Sequence, residues 1–272
     1  MKISIITINY NNAVGLEKTL QSVFSQTCAD YEYIVIDGGS ADDSKNIIVD
    51  NRDKFSYWCS EKDSGIYNAM NKGIRKAAGE YLLFLNSGDC FHDTTVLADM
   101  YPSLSGEDIV YGDLLFRYAD GRDDLVVYPN VLCMDYFLQR SLGHPASFIK
   151  RSLFENCLYT ETLKLVSDWE FFLKKIVLSE CSYKHVRRTV SVFNMEGISS
   201  LTPELCEEEK NDILQKMFSI MVLDSLRESA RMKQQPLYGI FCEFEKRQRL
   251  QKRIKPLLVF LLWLNNLFSK RR

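Results

Sequence analysis

Signatures that would settle a function class outright are missing from this 272-residue chain. No G-x-G-x-x-G follows the first strand-like run, which disfavours a dinucleotide oxidoreductase, and no G-x-x-x-x-G-K-[ST] occurs, which removes a P-loop NTPase. A G-x-S-x-G nucleophile elbow is also absent. The eight cysteines are scattered without a C-x-x-C pair, which speaks against a zinc site and a disulfide framework and for a reducing compartment. The N-terminus enters a strand-like run at Ile3 without the basic start, long apolar stretch and cleavage site of a signal peptide. No apolar run reaches the roughly 20 residues that a bilayer span needs.

What is present is ordinary globular composition, 46% hydrophobic and 26% charged, which excludes a disordered chain. Net charge is −2 but uneven. Residues 246–272 hold nine Lys/Arg and no Asp/Glu, leaving 25 basic against 36 acidic residues, or −11, in the rest. A basic end of this kind points to an anionic partner. Phosphate contacts require broad positive surface, so the acidic body opposes nucleic acid and favours a membrane.

Ile3 to Ile8 is nearly all β-branched, as in a strand buried on both faces. Leu16, Leu20, Val23 and Phe24 then fall at helical spacing. Strands are expected at Tyr31 to Ile36, Phe55 to Cys59 and Tyr81 to Leu85, with helices around Ile47 and from Ile66 to Ala77. Alternating strands and helices mean βαβ units and a mostly parallel sheet flanked by helices, the α/β class. Beyond residue 100 the pattern is mixed and loop-rich. Short strands are read at Asp108 to Tyr111, at Leu114 to Tyr118 and Leu125 to Tyr128 around an Asp120-Gly121 turn, and at Ala146 to Ile149. A helix follows from Asp168 to Val177, then an antiparallel-looking run from Tyr183 to Val192. Long helices are expected over 204–234 and 237–268.

Ligands of open α/β sheets bind beyond the carboxyl ends of the strands, so polar clusters there are site candidates. Asp37-Gly38-Gly39-Ser40 ends the second strand. It is either a nucleotide contact or a plain turn with Ser40 or Asp42 capping the next helix. Asn86-Ser87-Gly88-Asp89 ends another strand with hard oxygen ligands that suit Mg²⁺ or Mn²⁺, and by itself it is equally a turn. Asp168 opens a helix as a cap or as a general base. His144, in Gly-His-Pro, contacts phosphate or metal, positions an acceptor, or is a structural loop residue.

Five co-linear segments carry a resemblance: residues 3–12, 20–27, 33–42, 63–89 and 167–170. Together the chain resembles the family-2 glycosyltransferases with the GT-A fold, a central sheet flanked by helices, here with a C-terminal helical extension. The resemblance implies residues 1–200 as the catalytic domain, with a nucleotide-sugar half over 1–100 and an acceptor half over 100–200. Residues 201–272 are the extension. It implies inverting transfer of a hexosyl or N-acetylhexosaminyl group from a nucleotide-diphosphate sugar, commonly a UDP-sugar, with a divalent metal on the diphosphate. By position, Thr7, Asn9, Tyr10, Asp37 and Asp63 line the nucleotide pocket, with Asn71, Lys72 and Asn86 as additions. Asp89, Asn86 and His144 serve the metal, and Asp168 is the base. Two departures stand out. Many members carry a second acid after the second strand, where this chain has Gly38, and many have Asp-x-Asp-Asp where Asn86 and Gly88 stand here.

The expected activity is therefore transfer to a glycan or polyprenyl-linked acceptor in surface polysaccharide synthesis, at the inner face of the cytoplasmic membrane. The alternative is a non-catalytic nucleotide-sugar-binding or membrane-scaffolding protein of the same fold. The run Leu257 to Leu264, flanked by Lys and Arg and containing Trp263, suits a helix lying in an anionic headgroup layer, or one packed on protein.

Overall fold

The computed structural model describes residues 1–197 and 202–269, with side chains of the last helix as far as Leu264. Expectations that rest on the side chains of residues 265–272 lie outside the described residues. Two compact units divide the chain at Met217/Phe218, rather than at the expected 200/201.

The first unit is built on a nine-stranded sheet. Its N-terminal half is β1 (Ile3–Asn9), β2 (Tyr31–Asp37), β3 (Tyr57–Ser60) and β4 (Tyr81–Phe84), all parallel, in the order β3-β2-β1-β4. Helices α1 (Ala13–Phe24), α2 (Ser44–Asp50) and α3 (Ile66–Lys76) connect them. The α/β class read from the alternating pattern is thus what the chain adopts. β1 and β4 are buried along their whole length, which explains their unbroken apolar sequences. From β1 the chain winds outward through β2 and β3, then returns to the other side of β1 with β4. The sheet therefore has its switch point between β1 and β4, where open α/β sheets take their ligands. Helix α3 lies tight on β1: a Cβ on Gly73 would stand 2.5 Å from Ile6 Cγ2.

Past β4 come β5 (Cys90–Phe91), α4 (Val96–Met100), β6 (Ile109–Arg117), β7 (Asp123–Val126), α5 (Met134–Gln139) and β8 (Ser147–Lys150). Next are α6 (Ser167–Phe172), a π-helical turn (Leu173–Leu178), β9 (Tyr183–Asn194) and α7 (Pro203–Met217). The sheet continues β4-β8-β6-β9-β5. Three expectations change here. The two strands expected at 108–111 and 114–118 are one strand, β6, whose register with β9 shifts around Asp113. Gly112 lies within this strand. It permits close approach, since a Cβ there would stand 2.4 Å from the Arg188 carbonyl oxygen. β9 is antiparallel only to β5 and runs parallel to β6. Helix α7 belongs to the first unit, where the Glu209 carboxylate accepts from the Lys164 and Leu165 N–H groups at 2.7 and 3.0 Å and Ile213 and Leu214 are buried.

The second unit comprises α8 (Ile220–Lys233), α9 (Tyr238–Glu245) and α10 (Gln248–Ser269). The single helix expected over 204–234 breaks before Ser219, whose extended backbone begins α8, and the one over 237–268 breaks before Gln248. No described helix is long and apolar enough to cross a membrane. In α10 the cations Arg249, Lys252, Arg253 and Lys255 precede Pro256, and the exposed run from Leu257 to Trp263 follows it.

Candidate active site

The carboxyl ends of β1, β2 and β3 meet at Asp37, which is fully buried. Oδ1 accepts from Asn9 Nδ2 at 2.8 Å and from the Ser40 hydroxyl. Oδ2 accepts from Ser60 Oγ at 2.7 Å and from the Gly39 and Ser40 N–H groups at 3.2 and 3.0 Å. Burial raises the acid's pKa, but these hydrogen bonds outweigh it and hold the carboxyl below its usual value. Asp37 and Asn9 therefore knit the strand ends together, and neither side chain is open to solvent.

Exposed beside them is a corner made by Tyr10, Gly38 and Asp63. Tyr10 is 65% exposed. A Cβ on Gly38 would lie 2.5 Å from Asp63 Oδ2 and 3.2 Å from Tyr10 Cδ2, so glycine here lets both side chains close over the strand end. Asp63 Oδ1 accepts from Gly65 N at 3.0 Å and thereby fixes the turn into α3. Lys72, one helix face on, pairs with Glu61 at 2.8 Å, and this pairing raises its pKa.

Two expected pocket residues are placed elsewhere. Thr7 is buried and faces the core, with its hydroxyl on the Leu85 carbonyl at 2.7 Å and on Tyr33 Oη at 2.9 Å. Asn71 lies on the inward face of α3. Its amide donates to the Tyr159 carbonyl and to Glu161 and accepts from Tyr159 N, all within 3.0 Å, so it fastens the 159–161 segment.

The loop after β4 closes against β1 and α1: Ser87 N donates to the Ile8 carbonyl, and Asn12 Nδ2 to the Ser87 carbonyl. Gly88 turns it with φ +106°, a conformation that favours glycine. Asn86 Nδ2 lies 3.0 Å from His144 Nε2, His144 Nδ1 lies 3.0 Å from Asp168 Oδ2, and Tyr67 Oη donates to Asp168 Oδ1 at 3.0 Å. Four residues separated by up to 101 positions thus form one connected line across the end of the sheet. With Asn86 donating to Nε2, the imidazole carries its proton on Nδ1 and donates it to Asp168. Asp168 and His144 side chains are 16% and 14% exposed, enough to meet a ligand. Burial works to raise the Asp168 pKa, but His144 and Tyr67 prevail and keep it below the usual carboxylate value, so the group is ionised at neutral pH. Burial and the Asp168 charge push the Tyr67 phenol far up, so it remains a donor.

The expected metal set is divided by this geometry. His144 has both ring nitrogens engaged and is not available as a ligand without losing one partner. Asp89 is buried, accepts from Asn194 N at 3.0 Å, and is pushed up by burial to about 7. Asn86 Oδ1 is buried with no hydrogen-bond partner. Among the described residues, no three His, Cys, Asp or Glu side chains converge in a way that could hold a metal ion. Any hard cation held by this loop would draw most of its ligands from substrate phosphates and water, with Asp89 and Asn86 Oδ1 as the protein oxygens on offer.

Residues 4–156 match the model of glycosyl transferase family 2. The chain belongs to that family. It is 34% identical to an uncharacterized glycosyltransferase of Mycobacterium tuberculosis, over 73% of this chain and 77% of that one. To a PGL/p-HBAD biosynthesis glycosyltransferase of Mycobacterium bovis it is 33% identical, over 71% and 77%. Its fold matches S. aureus TarS 1-349 in complex with UDP at a TM-score of 0.59 and 20% identity, covering 71% of this chain and 60% of that one. The mannosyltransferase PcManGT of Pyrobaculum calidifontis, solved with GDP-Man and Mn²⁺, matches at 0.53 and 16% identity, over 71% of this chain and 56% of that one. The protein is a glycosyltransferase of the GT-A fold.

Tyr67 was not among the residues expected in the site. Its signal was legible: it shares the inward helical face of Met70, Asn71 and Ile74, and a buried tyrosine hydroxyl needs a partner.

Proposed function

We propose that this glycosyltransferase moves a hexosyl or N-acetylhexosaminyl group from a UDP-sugar to a hydroxyl of a glycan or polyprenyl-linked acceptor, with inversion. The observation that carries the chemistry is Asp168, an ionised, partly exposed carboxylate held at the end of the sheet. As general base it accepts the acceptor hydroxyl's proton while that oxygen bonds to the anomeric carbon. The bond from this carbon to the phosphate oxygen breaks, and UDP leaves with the electron pair. The attacking oxygen enters opposite the leaving group, which inverts the centre.

Tyr10 and Asp63 contact the nucleotide and Lys72 lends positive charge, while Asn9 and Asp37 brace that corner from beneath. Asp89 and Asn86 would hold Mg²⁺ or Mn²⁺, which when bound offsets charge on the departing diphosphate. Support for UDP comes from the fold neighbour solved with it, and support for a metal from the neighbour solved with Mn²⁺. Relatives named in PGL biosynthesis support a lipid-linked or surface-glycan acceptor.

The same reading places the enzyme peripherally on the inner face of the cytoplasmic membrane. The cation-then-apolar order of α10 and its exposed leucines and Trp263 support it. Purified protein given Mn²⁺ and a panel of UDP-sugars should release UDP, and Asp168→Asn should abolish release while UDP binding persists. Full activity in Asp168→Asn refutes the base assignment. Removal of residues 246–272 should abolish co-sedimentation with phosphatidylglycerol vesicles, and retained binding refutes the membrane role.

A further inference from the structure

We propose that Tyr67 and His144 are positioning residues for the base: resting on the reading of Asp168 as that base, they clamp one carboxylate oxygen each, and Asn86 sets the imidazole tautomer that makes the clamp work. An aspartate carboxylate on its own turns through a broad torsional range about its last bond. Here Oδ1 accepts from Tyr67 Oη and Oδ2 from His144 Nδ1, both at 3.0 Å, so the plane of the group is fixed at both ends. A carboxylate offers about four acceptor positions; Tyr67, His144 and the Trp169 N–H fill three of them, which leaves one for the acceptor hydroxyl.

The two clamps come from different halves of the site. Tyr67 is the second residue of α3, directly after the Asp63 turn that forms the donor corner. His144 sits in the turn before β8, and its other nitrogen is held by Asn86 in the loop after β4. The base is thereby tied to the walls on which the donor lies. Its own helix does not need these bonds to stay in place. Trp169 Nε1 donates to the Phe137 carbonyl at 2.9 Å, Thr160 Oγ1 donates to Glu170 at 2.6 Å, and Phe171 stacks on Phe154 at 4.4 Å. Loss of a clamp should therefore disturb the carboxylate and leave α6 where it is.

The test measures UDP release with Mn²⁺ from UDP-glucose, UDP-galactose, UDP-GlcNAc and UDP-GalNAc, with water as the acceptor. UDP affinity by calorimetry and thermal unfolding are measured alongside. Tyr67→Phe keeps the ring against Tyr159 and removes only the hydroxyl. His144→Ala removes the second clamp, and His144→Asn returns an N–H near the position of Nδ1. Each of the first two variants should lower kcat about 10- to 100-fold, as expected for losing a hydrogen bond to a charged group that must be held in reacting geometry. Donor KM and UDP affinity should stay within about twofold, on the order expected when only a transition-state interaction is lost. His144→Asn should recover much of the rate, and adding Tyr67→Phe to Asp168→Asn should cost nothing more.

Wild-type kcat in both Tyr67→Phe and His144→Ala, with Asp168→Asn inactive, overturns the clamp and leaves the base assignment standing. An active Asp168→Asn overturns the base assignment. Raised KM, weakened UDP binding or lowered melting in step with kcat shows a structural role and overturns the clamp. A wild type that releases no UDP from any donor overturns the donor reading and this inference with it.

Discussion

Replacing Gly38 with alanine separates the nucleotide corner from the chemistry. The added Cβ would stand 2.5 Å from Asp63 Oδ2 and 3.2 Å from Tyr10 Cδ2, well inside contact distance, so both side chains must move. Tyr10 is largely exposed and Asp63 partly so, and each can swing outward without opening the core. The fold should consequently lose less than about 1 kcal/mol, as for a surface change. Nucleotide binding should lose more. A displaced carboxylate forfeits a charge-assisted hydrogen bond worth about 1.5–3 kcal/mol, and a displaced ring forfeits base stacking of about 1–3 kcal/mol. Even one such loss, taken at about 1.4 to 2.8 kcal/mol, weakens UDP roughly 10- to 100-fold. Calorimetric titration with UDP measures this directly, and thermal unfolding controls for folding. Turnover at saturating donor should be nearly unchanged, because Asp168 and its partners are untouched. Unchanged UDP affinity, with the fold intact, would remove Tyr10 and Asp63 from the donor site.

Asp37→Asn should destabilise the fold by about 2–4 kcal/mol at pH 7, since a neutral amide cannot accept from every donor that surrounds the buried carboxylate. The native pKa lies below the unfolded value of 3.8, so the stabilisation is fully present above that value and fades as pH falls through the native one. Denaturant midpoints of the two proteins should accordingly stay apart from pH 7 to about 4 and converge below it; a gap that persists in acid would contradict the assignment. Glu32→Ala strips the acceptor from the Ala78 and Gly79 N–H groups and the Ser4 hydroxyl at the end of α3. A cost of about 3 kcal/mol, or roughly 6–12 °C in Tm, is expected, and a loss under about 1 kcal/mol would show that water replaces the carboxylate there.

The N-terminal half of the sheet was legible because its signals are local. Runs such as Ile3 to Ile8 and Tyr81 to Leu85 are buried on both faces, and helices with glycine and polar turns separate them. The same property hid the direction of Thr7. A strand buried on both sides has no polar alternation, so nothing in the sequence tells which side Thr7 faces. Asn71 differs from expectation for another reason. The resemblance implies a nucleotide contact there, but Asn71 shares the inward spacing of Tyr67, Met70 and Ile74 and satisfies backbone groups of residue 159. Gly112, inside β6, is a close contact that only the fold reveals. The link from Asn86 through His144 to Asp168 joins positions 58 and 24 residues apart, and no spacing rule brings those together.

That link also accounts for the thinned acidic motif after β4. An aspartate at position 86 would strengthen a cation site, yet it offers no hydrogen to His144 Nε2. The imidazole, already donating from Nδ1 to Asp168, would face two acceptors and would have to gain a second proton or turn away. Asparagine supplies the missing donor from Nδ2 and still leaves Oδ1 for a metal or phosphate, and that oxygen is buried without a partner. Asn86→Asp is therefore a restoration of the commoner family pattern that should work against the enzyme. Mn²⁺ affinity, read by calorimetry in the presence of UDP, should rise. Meanwhile kcat should fall by about tenfold, the effect of losing one charge-assisted contact in the line that holds the base. A variant that binds Mn²⁺ more tightly and turns over faster would mean that the loop is simply a weakened metal site. The contact between Asn86 and His144 would then have no part in catalysis.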